Sequence, residues 1–136
     1  MDDNISVLIV NQSVEAAGIL TNAAFVLGLT AGRKLPDDSF GPEVVDGDGA
    51  PHAFLTRIGH YVRKASAGKL KTLRDTFAAM ETVIVVDYTE DAAPADYTAY
   101  ADALLSHKGD EIVYRAIHVY GPAELVAPLT KNLSRL

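Results

Sequence analysis

Four polar residues have the types and positions to line a binding site: Asn11, Asn22, His52 and Asp87. Asp87 follows four apolar residues in "VIVVDYTED" (83–91), and Asn11 follows the apolar run "ISVLIV" (5–10). Ligands of open α/β sheets bind beside the carboxyl ends of strands. We therefore predict a ligand site next to these two strand ends. The catalytic residues of any reaction are unknown, and Asp87 is the candidate.

Asp87 has two possible environments, which would shift its pKa in opposite directions. Hydrogen bonds to the charged carboxylate would lower the pKa, whereas burial without partners would raise it. General acid–base catalysis also needs a second group within hydrogen-bond reach. We predict that loop amides or hydroxyls bond Asp87, that it stays ionised, and that it acts structurally or as a ligand acceptor.

Asn22 lies in "EAAGILTNAAFVLGLTAG" (15–32), which predicts a helix buried on most sides, with Ala24, Gly28 and Gly32 against the sheet. A buried amide without partners costs about 1–3 kcal/mol. Asn22 is thus either hydrogen-bonded to a neighbouring loop or part of a pocket wall, and both interpretations remain open. His52 is expected to reach the same pocket from a hairpin.

Other chemistries find little support in the residues. The chain has no cysteine, which excludes disulfides and Cys-ligated metals. "DGDG" (46–49) begins like a calcium loop but places Arg57 where that loop needs a glutamate. No glycine-rich phosphate loop follows the first strand. We predict no metal and no cofactor, and we interpret His118 as a core histidine with its hydrogen bonds satisfied.

The composition indicates one globular domain spanning residues 1–136. With 12 basic and 18 acidic residues, the net charge is −6. Nucleic-acid binding draws on lysines and arginines that neutralise phosphates, so it is not expected here. "MDDNIS" lacks the basic region of a secretory signal, and no apolar run reaches the length of a membrane span. A cytoplasmic protein without membrane contact is expected.

The predicted elements alternate between strands and helices, which favours a three-layer α/β/α fold. "VVDGDGAPHAF" (44–54) predicts a hairpin around an Asp-Gly turn. Ser66 is a predicted N-cap. A further helix is expected at residues 94–106, starting near Pro94, and a terminal helix after Pro122 that includes Leu133.

Several stretches resemble known families. "YVRKASAGKLKTLRDTFAAM" (61–80) and "GPAELVAPLTKNLSRL" (121–136) resemble peptidyl-tRNA hydrolases of the second type. "TNAAFVLGLTAG" (21–32), "GPEVVDGDG" (41–49) followed by His52, and "VYGP" resemble a bacterial family known as domain of unknown function number two thousand, similar in fold to those hydrolases. The resemblance implies a small mixed sheet of about four strands, plus an extra hairpin and helix.

The hydrolase resemblance carries over one functional residue. Asp87 matches the hydrolase aspartate at the penultimate strand. Residues 11–18 contain no counterpart of the hydrolase lysine, and Asp91 stands where the hydrolases have threonine, with Thr89 nearby. The leading hypothesis is a small-molecule-binding or regulatory domain. The alternatives are a hydrolase of aminoacyl or peptidyl esters and a homodimeric protein-interaction domain.

Overall fold

The computed structural model describes residues 3–92 and 96–136, which form seven strands and four helices. The strands are β1 (Asn4–Asn11), β2 (Val44–Val45), β3 (Pro51–His52), β4 (Gly59–Ala65), β5 (Ile84–Thr89), β6 (Tyr114–Pro122) and β7 (Ser134–Arg135). The helices are α1 (Ala17–Lys34), α2 (Ala67–Ala78), α3 (Tyr97–Leu105) and α4 (Ala123–Thr130). The mixed α/β class predicted from the sequence is confirmed.

The main sheet has five strands in the order β5-β6-β1-β4-β7. β1 pairs in parallel with β4 and antiparallel with β6, while β5 and β7 form the edges. The expectation of about four strands is wrong, because Ser134 and Arg135 pair with Lys64 and Arg63 of β4. The terminal helix accordingly ends at Thr130 and does not include Leu133.

The two faces of β1 lie in two different apolar clusters. Val7 and Ile9 pack in the cluster that holds Leu70, Leu73 and Phe77 of α2. Val10 packs in the cluster that holds Ala23, Leu27 and Ala31 of α1. Successive strand residues point to opposite faces, so β1 joins both layers of the core.

Helix α1 is buried along one stripe only, whereas the sequence predicted burial on most sides. Its buried residues, Ala23, Leu27 and Ala31, recur every four positions. Phe25 and Leu29 are 66% and 64% exposed. The helix covers one face of a sheet with nothing packed outside it among the described residues, so only one stripe finds apolar partners.

The small-residue stripe of α1 does not contact the sheet. Gly28 and Gly32 are exposed, and a Cβ atom at either position would meet no other atom within 4 Å. The predicted close approach to the sheet is therefore wrong for Gly28 and Gly32, while Ala24 is half-buried. The face of α1 that contacts the sheet is the one that carries Leu27, because a leucine side chain gains more from burial than a glycine does.

The helix caps follow from the sequence. The Ser66 hydroxyl accepts a hydrogen bond from the Lys69 backbone N–H at 3.2 Å, as predicted for the N-cap of α2. Asp96 caps α3 by accepting from the Ala99 N–H at 3.1 Å. Pro94, where we expected this helix to start, lies outside the described residues.

The predicted hairpin is formed by β2 and β3, where Val44 pairs with His52. Gly49 has a φ of 84° in its turn, a backbone conformation that glycine adopts without strain. In the part of the chain that the structure describes, no helix has both the length and the apolar character to span a membrane.

Gly121, in the "VYGP" segment, lets β6 run close to the start of β5. A Cβ atom at this position would lie 2.9 Å from Cγ2 of Val83 and 3.3 Å from the carbonyl oxygen of Thr82. A larger residue at position 121 would therefore force Val83 and the backbone at Thr82 to move.

His118 lies on β6 and is half-buried. Its Nε2 contacts the Oγ of Ser6 on β1. Its Nδ1 is buried and has no hydrogen-bond partner among the described residues. The residue is half-buried and does not belong to the core clusters, and the expectation of satisfied hydrogen bonds fails at Nδ1. Burial lowers the pKa of the His118 imidazole from its ordinary 6.5 to about 4.

We expect this histidine to make the protein less stable in mild acid. As the pH falls from 6.5 to about 4, the unfolded chain binds a proton on His118 that the folded chain does not bind. The free energy of unfolding should therefore fall across this window, by roughly 3 kcal/mol from this residue at most. Urea unfolding of the wild type and of His118→Asn at pH 7 and pH 4.5 measures the difference.

His60→Asn is the matched control, because His60 is exposed on β4, another strand of the same sheet. It should retain the pH dependence of the wild type, whereas His118→Asn should show a shallower one. Identical pH dependence in all three proteins would contradict the assignment.

Candidate functional site

A cleft of about 510 Å³ lies between α1, β5 and α3. Two of the four predicted site residues, Asn22 and Asp87, line it. The apolar part of its wall includes Val26 of α1 and Val86 of β5, and Tyr97 and Tyr100 line it from α3. The cleft thus combines apolar surface with a few polar groups, as small-molecule sites do.

The position of β5 at the edge of the sheet explains how Asp87 reaches this cleft. Val86 and Tyr88 belong to the cluster with α1, so Asp87 between them points toward the α2 face. No further described strand pairs beyond β5, and its edge is open to the cleft. Asp87 lies inside the strand, which continues to Thr89, and not at its end as predicted.

Asp87 is paired with an arginine that our sequence analysis did not identify. Nε of Arg74 donates to Oδ2 of Asp87 at 3.1 Å, and Nη1 of Arg74 lies 3.2 Å from Oδ1 of Asp75. The guanidinium also lies 5.5 Å from the ring centroid of Tyr114. The prediction that loop amides or hydroxyls bond Asp87 is therefore wrong, because α2 supplies the donor.

Opposing effects act on the pKa of Arg74. Burial lowers it, but Tyr114, Asp75 and Asp87 together outweigh burial and raise the pKa above its usual value. The guanidinium stays charged, so the pair holds a fixed cation against the α2 side of β5. The residue type of Arg74 and its place in a helix predicted to follow β4 were visible in the sequence, but its partner was not.

Asn22 combines the two roles that we left open. Its Nδ2 donates to the hydroxyl of Tyr88 at 2.8 Å, and that hydroxyl lies 3.4 Å from the carbonyl oxygen of Ala92. The partner is a buried tyrosine and not a loop, and Asn22 itself is exposed. The amide therefore ties α1 to β5 while it forms part of the cleft wall.

The other two predicted site residues lie away from the cleft. Asn11 is buried, donating from Nδ2 to the carbonyl oxygen of Tyr114 at 3.0 Å and accepting at Oδ1 from the Ser13 N–H at 2.9 Å. It holds the turn after β1. His52 is exposed in the hairpin, where its Nε2 lies 2.8 Å from Oδ2 of Asp46.

The His52 contact has an electrostatic effect within the hairpin. The hydrogen bond to His52 is the largest cause of a lowered pKa at the Asp46 carboxyl, and the backbone N–H groups of Ala50 and Asp48 add to it. These hydrogen bonds stabilise the hairpin turn, and none of the residues that form them lines the cleft.

Tyr97 and Tyr100 line the cleft from α3, and the sequence did not identify them as site residues. Their rings meet edge to face, with centroids 5.8 Å apart and planes at 75°. Burial raises the pKa of the Tyr100 phenol, and the negative charges of Asp87 and Asp91 raise it further. Two tyrosines three residues apart at the start of a short helix are the sequence signal that could have indicated the site.

The arrangement suits binding better than proton transfer. The group that bonds Asp87 is the guanidinium of Arg74, which is not deprotonated in proteins and so cannot act as a base. Asp91, at the position of the hydrolase threonine, has its Oδ2 3.9 Å from Nδ1 of His107. In residues 3–92 and 96–136, no three His, Asp or Glu side chains form a group that could hold a metal ion.

Comparison with known proteins identifies a solved structure of the same fold and a matching protein family. A solved structure described as Protein of Unknown Function Atu0240, from Agrobacterium tumefaciens strain C58, superposes with a TM-score of 0.87 at 15% identity, covering 100% of this chain and 99% of that one. At this identity the likeness shows a common fold. No curated protein matches the sequence. Residues 6–136 match the family described as Protein of unknown function (DUF2000), and the chain therefore belongs to that family.

Proposed function

We propose that this protein is a small-molecule-binding or regulatory domain whose site is the cleft between α1, β5 and α3. The observation that carries the proposal is the meeting of Asn22 and Asp87, which are distant in the sequence, on one cleft of about 510 Å³. This volume falls in the range of about 300–1,000 Å³ typical of ligand sites.

The walls of the cleft are held in place before any ligand arrives. The Asn22–Tyr88 hydrogen bond joins α1 to β5, and the Arg74–Asp87 pair joins α2 to the same strand. A site whose side chains are already fixed loses less conformational entropy on binding. Two faces of one edge strand are thus braced around the proposed site.

Asn22→Leu should remove ligand binding while leaving the fold intact. Asn22 is exposed on a helix, so leucine meets no steric obstacle there, but it cannot bond the Tyr88 hydroxyl and it adds bulk to the cleft wall. A thermal-shift screen of the wild type against metabolites comes first, since a ligand at 100 times its Kd stabilises the native state by about 2.7 kcal/mol. Compounds that raise the wild-type Tm should then lose their effect on Asn22→Leu.

Thr21→Leu is the matched control, because Thr21 is the exposed neighbour of Asn22 on α1 and does not line the cleft. It should respond to the same compounds as the wild type does. The proposal fails if the hits stabilise Asn22→Leu as strongly as the wild type.

We also propose that the fold is of the peptidyl-tRNA hydrolase II type. The resembling stretches support this proposal: residues 61–80 cover most of β4 and all of α2, and "GPAEL" opens α4. Asp87, on β5, is the residue that keeps the alternative of an ester hydrolase open. A homodimer and a cytoplasmic location stay predictions, and the exposed Phe25 and Leu29 on α1 are the feature that favours the homodimer.

For the hydrolase alternative we expect a negative result. The net charge is −6, and no lysine is present at residues 11–18 to assist Asp87 or to contact phosphate. Purified protein should neither turn over peptidyl-tRNA nor bind tRNA at physiological salt. Release of the peptide that disappears in Asp87→Asn would establish the hydrolase instead.

A further inference from the structure

We propose that the ligand of the cleft is an organic cation, an ammonium or guanidinium group carried on an apolar body. This inference rests on the proposed function of the cleft, and it adds the chemical class of the ligand. It is argued from the hydrogen-bonding capacity, the charge and the aromatic surface of the cleft.

Three side chains of the cleft offer acceptor atoms that no described donor uses. Oδ2 of Asp87 accepts from Arg74, and its Oδ1 has no hydrogen-bond partner among the described residues. Oδ1 of Asp96 accepts from Ala99 at the start of α3, and its Oδ2 likewise has no partner in the described part of the chain. The Asn22 amide donates to Tyr88 through Nδ2, which leaves Oδ1 as an acceptor. A ligand that supplies several donors, as an ammonium group does with three, would match these three acceptors, while the hydroxyl groups of the cleft can adapt to either role.

The charges of the cleft wall have the same sign. Asp87 and Asp96 line the cleft, and no lysine, arginine or histidine among the described residues does so. Arg74 reaches Asp87 from the α2 side and is itself shared with Asp75. Burial raises the pKa of the Tyr100 phenol, and the nearby charges of Asp87 and Asp91 raise it further, as expected beside an acidic wall. An anionic ligand would therefore meet no positively charged side chain among the described residues that line the cleft.

The aromatic and apolar surface fits the rest of such a ligand. Tyr97 is 82% exposed although it lines the cleft, and it meets Tyr100 edge to face. The face of a tyrosine ring attracts a cation within about 6 Å. Val26 and Val86 provide the apolar surface on which the body of the ligand would pack.

Three small molecules of one skeleton test the charge requirement: phenylpropylammonium, phenylpropanol and phenylpropionate. Each is titrated into the full-length, isotope-labelled protein, and amide shifts are followed by NMR. The ammonium compound should shift the amides of Asn22, Asp87 and Tyr100 and bind more tightly than the alcohol. Phenylpropionate should bind most weakly, and added salt should weaken the ammonium complex.

Asp96→Asn removes one charge and keeps the helix cap, since asparagine caps as well as aspartate does. It should weaken binding of the ammonium compound by about two- to five-fold. Asp102→Asn, on the same helix but outside the cleft lining, should leave binding unchanged.

Equal or tighter binding of phenylpropanol or phenylpropionate in the cleft would overturn the cation proposal and leave the binding function standing. If none of the three compounds shifts the cleft amides and the metabolite screen also gives no hit there, the binding function fails as well.

Discussion

The burial of β1 on both faces is the constraint on which the rest of the structure depends. Val7 and Ile9 lie against α2, while Val10 lies against α1, so a single short strand connects the two apolar clusters. β1 also pairs with β4 on one side and β6 on the other. Its backbone hydrogen bonds and its side chains are thus both committed to the interior, and its neighbour β6, which pairs with β1 and β5 and places Ile117 and Ala116 in the two clusters, extends this central unit.

The candidate site follows from this arrangement. With β1 in the centre, β5 pairs only with β6 and becomes an edge strand. Alternation along an edge strand sends Tyr88 to the α1 layer and Asp87 to the α2 layer, and each finds a polar partner there. Helix α3 adds two tyrosines without burying any of its own residues. The cleft therefore lies between a strand that is held on both faces and a helix, α3, that is only lightly attached.

The sequence predicts the elements of this fold better than it predicts their contacts. The apolar run of β1, the Ser66 cap and the Asp-Gly hairpin are local signals, and the structure contains all three. The two-residue strand β7 carries no such signal, because Ser134 and Arg135 form it only by pairing with β4. The face of α1 that contacts the sheet also depends on partners elsewhere in the chain, so the four-residue spacing of its small residues indicated the wrong face.

The site was predictable in part. Asn22 and Asp87 were recognisable because polar groups next to apolar runs need partners, but nothing local identifies Arg74 or Tyr88 as those partners. Asn11 carried the same signal as Asp87 and yet holds a turn. His52 was assigned to the pocket from a hairpin whose position relative to the sheet depends on tertiary contacts. Pairings across the fold are set by topology, which residue spacing does not determine.

Native-state hydrogen exchange tests most directly the claim that β1 carries the structure while α3 is lightly attached. The amides of Val7, Ile9 and Val10 should exchange only through global unfolding, with an opening free energy equal to that measured by urea. The amides of α3 should exchange through a local opening of much lower free energy, because no described residue of that helix is buried. Protection of α3 equal to that of β1, or exchange of β1 through local opening, would contradict the account.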